Sequence, residues 1–263
     1  MNELVTTTTY PPDQFPTAPF DRASDYFASL ASDHFTHLRA QRNLAYFEET
    51  VRCRYIARHQ FARLIPEYCL DDAGFLLFCD DMRPGNMLVD PETFRITAVL
   101  DLEFTNAVPA QFSYNPPWWL LLSSPCHWLD RGTFDEFLAL YEPRMEQFLR
   151  ALEHVEGEEG STPPGLHDAV ALSTRMRESW KTGRFWFDFM ARKSLDIDVT
   201  YWTVMHEKHK DGSGGGSDDE QLLDYEVLLD NESRSEMELL VGVKMEQAKA
   251  YDEEHKVMFS KKE

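Results

Sequence analysis

The sequence predicts an α+β fold, mostly α, with one small β element set between helical stretches. Three observations carry this expectation. Tyr26, Phe27, Leu30, Phe35 and Leu38 recur at helical spacing through residues 25–43, and Val51, Tyr55, Ile56 and Phe61 do so across 47–64, so two amphipathic helices should pack as a pair. The period then shortens. A short apolar run at 75–78 follows the turn residues Asp71, Asp72 and Gly74, a second lies at 87–89, and FRITAVL at 94–100 follows the turn Asp90-Pro91-Glu92-Thr93. From Tyr114 onward helical patterning returns, with helices expected over 133–153, 166–192 and 234–255.

The punctuation between these elements sets the domain organisation. Residues 1–20 are rich in Thr and Pro and should form a flexible, extended leader. GEEGSTPPG at 157–165 reads as a loop, and KDGSGGGSDDE at 210–220 as a flexible Gly/Ser and acidic insertion. Residues 21–255 then form one globular unit, followed by a tail at 256–263. The chain has 263 residues, 43% of them hydrophobic and 13% aromatic, enough to bury a substantial core.

Charge narrows the partners. With 26 basic against 46 acidic residues the chain carries a formal −20, so it repels phosphate backbones and anionic lipid surfaces, and neither nucleic acid nor membrane is expected as a partner. A cationic small molecule or a divalent metal suits it better. Cys53, Cys69, Cys79 and Cys126 form no CxxC pair and read as reduced thiols of a cytoplasmic protein. The first twenty residues lack the basic and apolar regions of a signal peptide, and no apolar run approaches the ~18 residues a membrane helix requires.

The chemistry is concentrated in FCDDMRPGNMLVDPETFRITAVLDLEF, residues 78–104. Phosphoryl transfer from a nucleotide needs one carboxylate beside the acceptor hydroxyl, to orient it and take its proton. It also needs an amide and a second carboxylate to hold Mg²⁺ against the phosphates. Asp81 and Asn86 stand five apart on a loop between two apolar runs, with Pro84 and Gly85 turning it. Asp101 follows fifteen residues beyond Asn86, at the end of the segment RITAVL. A hairpin of that size should return Asp101 beside the first loop. Asn86 and Asp101 then offer the hard oxygen donors and incomplete shell that magnesium prefers. The bland alternative is that these are turn residues, with Asn86 a cap.

On these residues the chain resembles the aminoglycoside phosphotransferase and choline-kinase-like family, in particular its large fungal group. The family motif HxDxxxxN, a hydrophobic strand, then Asp is matched by Cys79-x-Asp81-x4-Asn86 and Asp101, with Cys79 standing where the family usually has His. The segments at 104–121 and 175–194 resemble the same group, so the likeness spans roughly residues 20–255. It implies the C-terminal lobe of a protein-kinase-like fold, ATP and Mg²⁺ as cofactors, and transfer of phosphate to a small-molecule hydroxyl. In that reading Asp81 is the catalytic base, Asn86 and Asp101 bind the metal, and Arg83 supports the loop or contacts phosphate.

A kinase of this kind also uses a β-rich N-terminal lobe with a Gly-rich loop and a strand lysine. This sequence has no lysine before Lys181 and only Gly74 ahead of Asp81, and the residues preceding the loop read as helices. Arg52 or Arg54 could touch a phosphate, though each sits on a predicted helix. The N-lobe is therefore read as absent, and weak or no turnover is expected from this lobe alone. Three readings stay open: a truncated gene product, a pseudokinase-type binding or regulatory module, and a site completed by another chain. A lobe without its counterpart should expose an apolar face, which predicts self-association or a covering protein partner. The acceptor is open among aminoglycosides, choline, other amino alcohols, sugars and protein side chains.

Other signals are weaker. His206 and His209 form HxxH rather than a metalloprotease pattern, and His34 and His37 lie three apart on the first helix, where packing or surface roles are expected. Tyr114, Trp118, Trp119, Trp180, Phe185, Trp186 and Phe187 read as core, or alternatively as a wall for a cationic acceptor.

Overall fold

The computed structural model describes residues 8–158, 170–209 and 228–260, with the backbone alone for 252–260. It is mostly helical with two small antiparallel sheets. The described part of the leader, from residue 8, has one 3-10 turn at Pro12–Gln14 flanked by extended residues. Over its described part it lies against the body: Tyr10 is buried, stacks on Phe15 and donates its hydroxyl to Asp33 at 2.7 Å.

The expected helical pair is α1 (Ala23–Ala40) and α2 (Glu48–Tyr68). No side chain of its own caps α1; instead the Asp71 carboxylate, beyond α2, accepts the Ser24 N–H at 2.7 Å. An acceptor at that first turn satisfies one of the orphan donors of a helix start and suits the positive end of its dipole. Pro66 falls in the last turn of α2, and the helix stops two residues later.

Four short strands follow: β1 (Phe75–Cys79), β2 (Met87–Val89), β3 (Ile96–Val99) and β4 (Thr105–Pro109). The first three fall where the apolar runs place them. β4 was not anticipated, and it changes the topology. β1 pairs with β4, in register from Phe75↔Pro109 to Cys79↔Thr105, while β2 pairs with β3 in a separate hairpin with an irregularity at Leu88/Val89. TNAVP carries too few apolar residues to read as a strand alone; its pairing with β1 defines it.

The remainder is helical: α3 (Pro125–Leu129), α4 (Phe134–Glu156), α5 (Leu172–Thr182), α6 (Arg184–Arg192), α7 (Ile197–Thr200), a π turn at Tyr201–Met205, α8 (His206–His209) and α9 (Asn231–Ser260). The single helix expected over 166–192 is two. Gly183 separates them at φ +86°, a conformation that favours glycine, and a Cβ there would lie 2.8 Å from Lys208 Cε. Residues 166–169 of that span, the insertion at 210–220 and the end of the tail at 261–263 lie outside the described residues.

The core is aromatic. Phe187 on α6 stacks with Phe61 at 5.0 Å and Tyr68 at 5.2 Å, and packs on Phe27, which in turn meets Phe112. A second group joins Phe137 and Tyr141 of α4 to Trp180, Phe185 and Trp186. Helix α9 closes over α2. Arg52 pairs with Glu238, and Lys244, fully buried, donates from Nζ to the carbonyls of Arg39 and Gln41 at 2.9 Å, closing the C-terminus of α1. Among the described residues no helix is long and apolar enough to cross a membrane.

Candidate active site

The loop of interest leaves β1 at Cys79. Asp80 N–H donates to the Phe104 carbonyl, Met82 N–H to that of Cys79, and the chain turns through a 3-10 turn at Pro84–Asn86 before entering β2. Proline suits the first position of such a turn because its φ is already fixed and no N–H is forfeited. The Asn86 N–H closes the turn on the Arg83 carbonyl at 2.9 Å.

Inside this turn Asp81, Arg83 and Asn86 come together. Asn86 is buried, and its Nδ2 donates to both the Asp81 carbonyl and Asp81 Oδ2, each at 2.8 Å. Arg83 Nε donates to Asp81 Oδ1 at 2.9 Å. Both oxygens of a partly exposed carboxylate are thus oriented by neighbours in the loop, and each keeps a further lone pair for an incoming donor. Because Nδ2 of Asn86 is spent on Asp81, its Oδ1 is the atom left for a ligand. The five-residue spacing therefore builds a closed unit in which the amide aims the carboxylate.

Asp101 is placed by the hairpin. Met87 pairs with Val99, and one step further the Leu100 N–H donates to the Asn86 carbonyl at 2.8 Å. The next residue, Asp101, sits at φ +59°, ψ +53°, the left-handed region that Asp tolerates better than most side chains. Asp101 as a residue is exposed to solvent.

The sequence reading missed the layer beneath. Arg192 on α6 is almost wholly buried, with its guanidinium 5.2 Å from the centre of the Phe78 ring and 5.6 Å from that of Phe112. Its Nη1 donates to Asp80 Oδ1 at 3.2 Å, tying the start of the loop to the helical core. One turn back, Asp188 is fully buried and accepts from Gln111 Nε2 at 2.6 Å and Asn115 Nδ2 at 2.8 Å, while Ser179 donates to Asn115. Burial pushes the Asp188 carboxyl up to about 7, against the pull of its hydrogen-bond donors and of Arg192. A usable signal existed: an Asp and an Arg four apart in RFWFDFMAR, an otherwise aromatic helix, are polar groups that demand partners.

The remaining candidates settle into structural places. Arg52 is held by Glu48 and Glu238, and Arg54 shares Asp198 with the buried Arg58, so both have carboxylate partners within the helices. His34 and His37 are buried between helices. Desolvation drives the His34 ring well below the usual imidazole range and lowers His37 to about 4. His209 lies against Tyr68 and Glu67, and His206 packs on Trp202. Cys79 is half-buried at the end of β1. Of the aromatic set, Tyr114, Phe185, Trp186 and Phe187 are core, whereas Trp118, Trp119 and Trp180 are partly exposed.

Among the described residues no group of three or more His, Cys, Asp or Glu side chains could cage a metal. Asn86 and Asp101 carry an amide oxygen and a carboxylate, hard donors of the kind that Mg²⁺ takes beside waters and phosphate oxygens. No family model, curated protein or solved structure matches the chain.

Proposed function

We propose that this chain carries the acceptor-activating and metal-binding half of a kinase-like phosphotransferase that acts on the hydroxyl of a small molecule with Mg²⁺-ATP. The observation that carries the reading is the Asn86 amide clamped on Asp81; the Leu100 N–H on the Asn86 carbonyl ties the residue before Asp101 to the same loop and supports the assignment of Asp101. In this reading Asp81 accepts a hydrogen bond from the acceptor hydroxyl on a lone pair left free by Arg83 and Asn86, and takes its proton as the hydroxyl attacks phosphorus. Asn86 Oδ1 and Asp101 would hold the metal. Magnesium, when bound, supplies neutralisation of charge on the phosphates. Arg83 holds Asp81 oriented. The strongly acidic chain suits a cationic acceptor such as an amino alcohol or aminoglycoside.

Phosphoryl transfer depends almost wholly on positioning and electrostatics, and no lysine precedes Lys181 to grip the phosphates. That observation favours a second reading, a pseudokinase-type binding module, and makes turnover by this chain alone weak. Calorimetric titration with Mg²⁺-ATP, beside Asp101→Ala, separates them. A nucleotide heat that Asp101→Ala abolishes supports the metal site. No heat at millimolar nucleotide removes catalysis by this chain from consideration.

A further inference from the structure

The β2–β3 hairpin is an uncovered apolar element. Among the described residues each of its strands pairs only with the other, so each presents an edge that none of them covers. Side chains on both of its faces are exposed: Leu88 opposite Ala98 on one, and Val99, opposite Met87, on the other, with Val89 and Ile96 at the irregular end. Phe94, at the turn, is 81% exposed and held at φ +56°, a conformation a bulky side chain rarely adopts. The turn is fixed by its own bonds, Phe94 N–H to the Asp90 carbonyl and Asp90 N–H to the Arg95 carbonyl, so the ring is presented rather than loose. An isolated two-stranded hairpin is marginal in water, and a persistent exposed apolar group of this kind marks an interaction surface.

Charge says what covers it. With Asp80 paired to Arg192 and Asp81 to Arg83, the carboxylates left around the hairpin are Asp90, Glu92, Asp101 and Glu103, against Arg95. A second copy docking through this face would set one acidic rim against another, on a chain of formal charge −20. The segment 218–226 of the chain, with Asp218, Asp219, Glu220, Asp224 and Glu226, is disfavoured on the same ground. We infer that the hairpin is a docking edge for another protein, which adds an extended segment of alternating apolar and Lys/Arg residues to β2 or β3. Main-chain bonds to the free edge supply affinity, Phe94 and Ile96 supply apolar contact, and the carboxylates select cationic flanks.

The probe is a short peptide of alternating Leu and Lys, titrated by fluorescence anisotropy into the full-length chain, with an alternating Leu/Glu peptide as control. Binding by Leu/Lys alone is expected, weakened at least ~10-fold in Phe94→Ser/Ile96→Ser and to a lesser degree in Asp90→Asn/Glu92→Gln. Phe94 and Ile96 are largely exposed, so the first variant should keep its circular dichroism spectrum. The inference fails if neither peptide binds, if the Leu/Glu peptide binds equally, or if Phe94→Ser/Ile96→Ser leaves Leu/Lys binding intact. It also fails if light scattering finds a dimer of the chain that this variant dissolves, because the occupant is then a second copy.

Discussion

Asp81 and Asp188 show what burial does to one kind of side chain. Asp81 lies near solvent and is aimed by Asn86 and Arg83; Asp188 lies in the core, held by two amides, with its carboxyl raised to about 7. The raised value has a definite consequence for stability. Between the unfolded carboxyl pKa of about 3.9 and about 7 the folded chain holds this proton more tightly, so its contribution is full below that window and is lost as pH rises through 7. A shift of that size corresponds to about 4 kcal/mol at most. Urea midpoints across pH 5 to 8 should therefore fall for the native chain, and Asp188→Asn should flatten the fall. An equally steep fall in the variant would assign the slope to other groups. At this scale the sequence named Asp81, Asn86 and Asp101 through their spacing, because a loop of five and a hairpin of fifteen are local geometry. The Asp and Arg four apart in RFWFDFMAR signalled that Asp188 and Arg192 need partners, but not which ones, because those lie on distant segments.

The helices are joined by buried polar links as much as by apolar faces. Asp198 on α7 receives Arg54 and the fully buried Arg58 from α2, and Arg58 also reaches the His34 carbonyl on α1 at 3.0 Å. One carboxylate thus ties two cations and joins three helices. Asp198→Ala should cost about 3–5 kcal/mol in chemical denaturation, because Arg58 would remain buried without its counter-ion. A loss below 1 kcal/mol would mean that water reaches the guanidinium. Element boundaries were legible where local chemistry sets them, as at the Asp90 turn, whose Oδ1 accepts the N–H groups of Glu92 and Thr93. The split at Gly183 was not, since a lone glycine in a helical pattern is ambiguous until its φ is known.

For the whole molecule the dominant electrostatic quantity is the net charge. With −20 on 263 residues, mutual repulsion opposes compaction, whereas exposed pairs such as Arg52–Glu48 return about 1 kcal/mol or less each. Raising NaCl from low to physiological concentration should therefore raise the thermal midpoint by a few degrees, roughly the shift expected of 1 kcal/mol. A fall on adding salt would mean that surface ion pairs dominate instead. The sequence by itself determined the mostly helical α+β class, the two-helix start, the positions of β1 to β3 and the turn that holds Asp81 and Asn86, since periodicity, turn residues and short-range spacing are properties of neighbours in the chain. Only the tertiary structure decided that β1 takes β4 as its partner and that Asp71 caps α1. It also decided that α6 braces the loop through Arg192 and that the β2–β3 hairpin stands uncovered. Each of these depends on which distant segments meet, and a pattern of local periods does not encode that meeting.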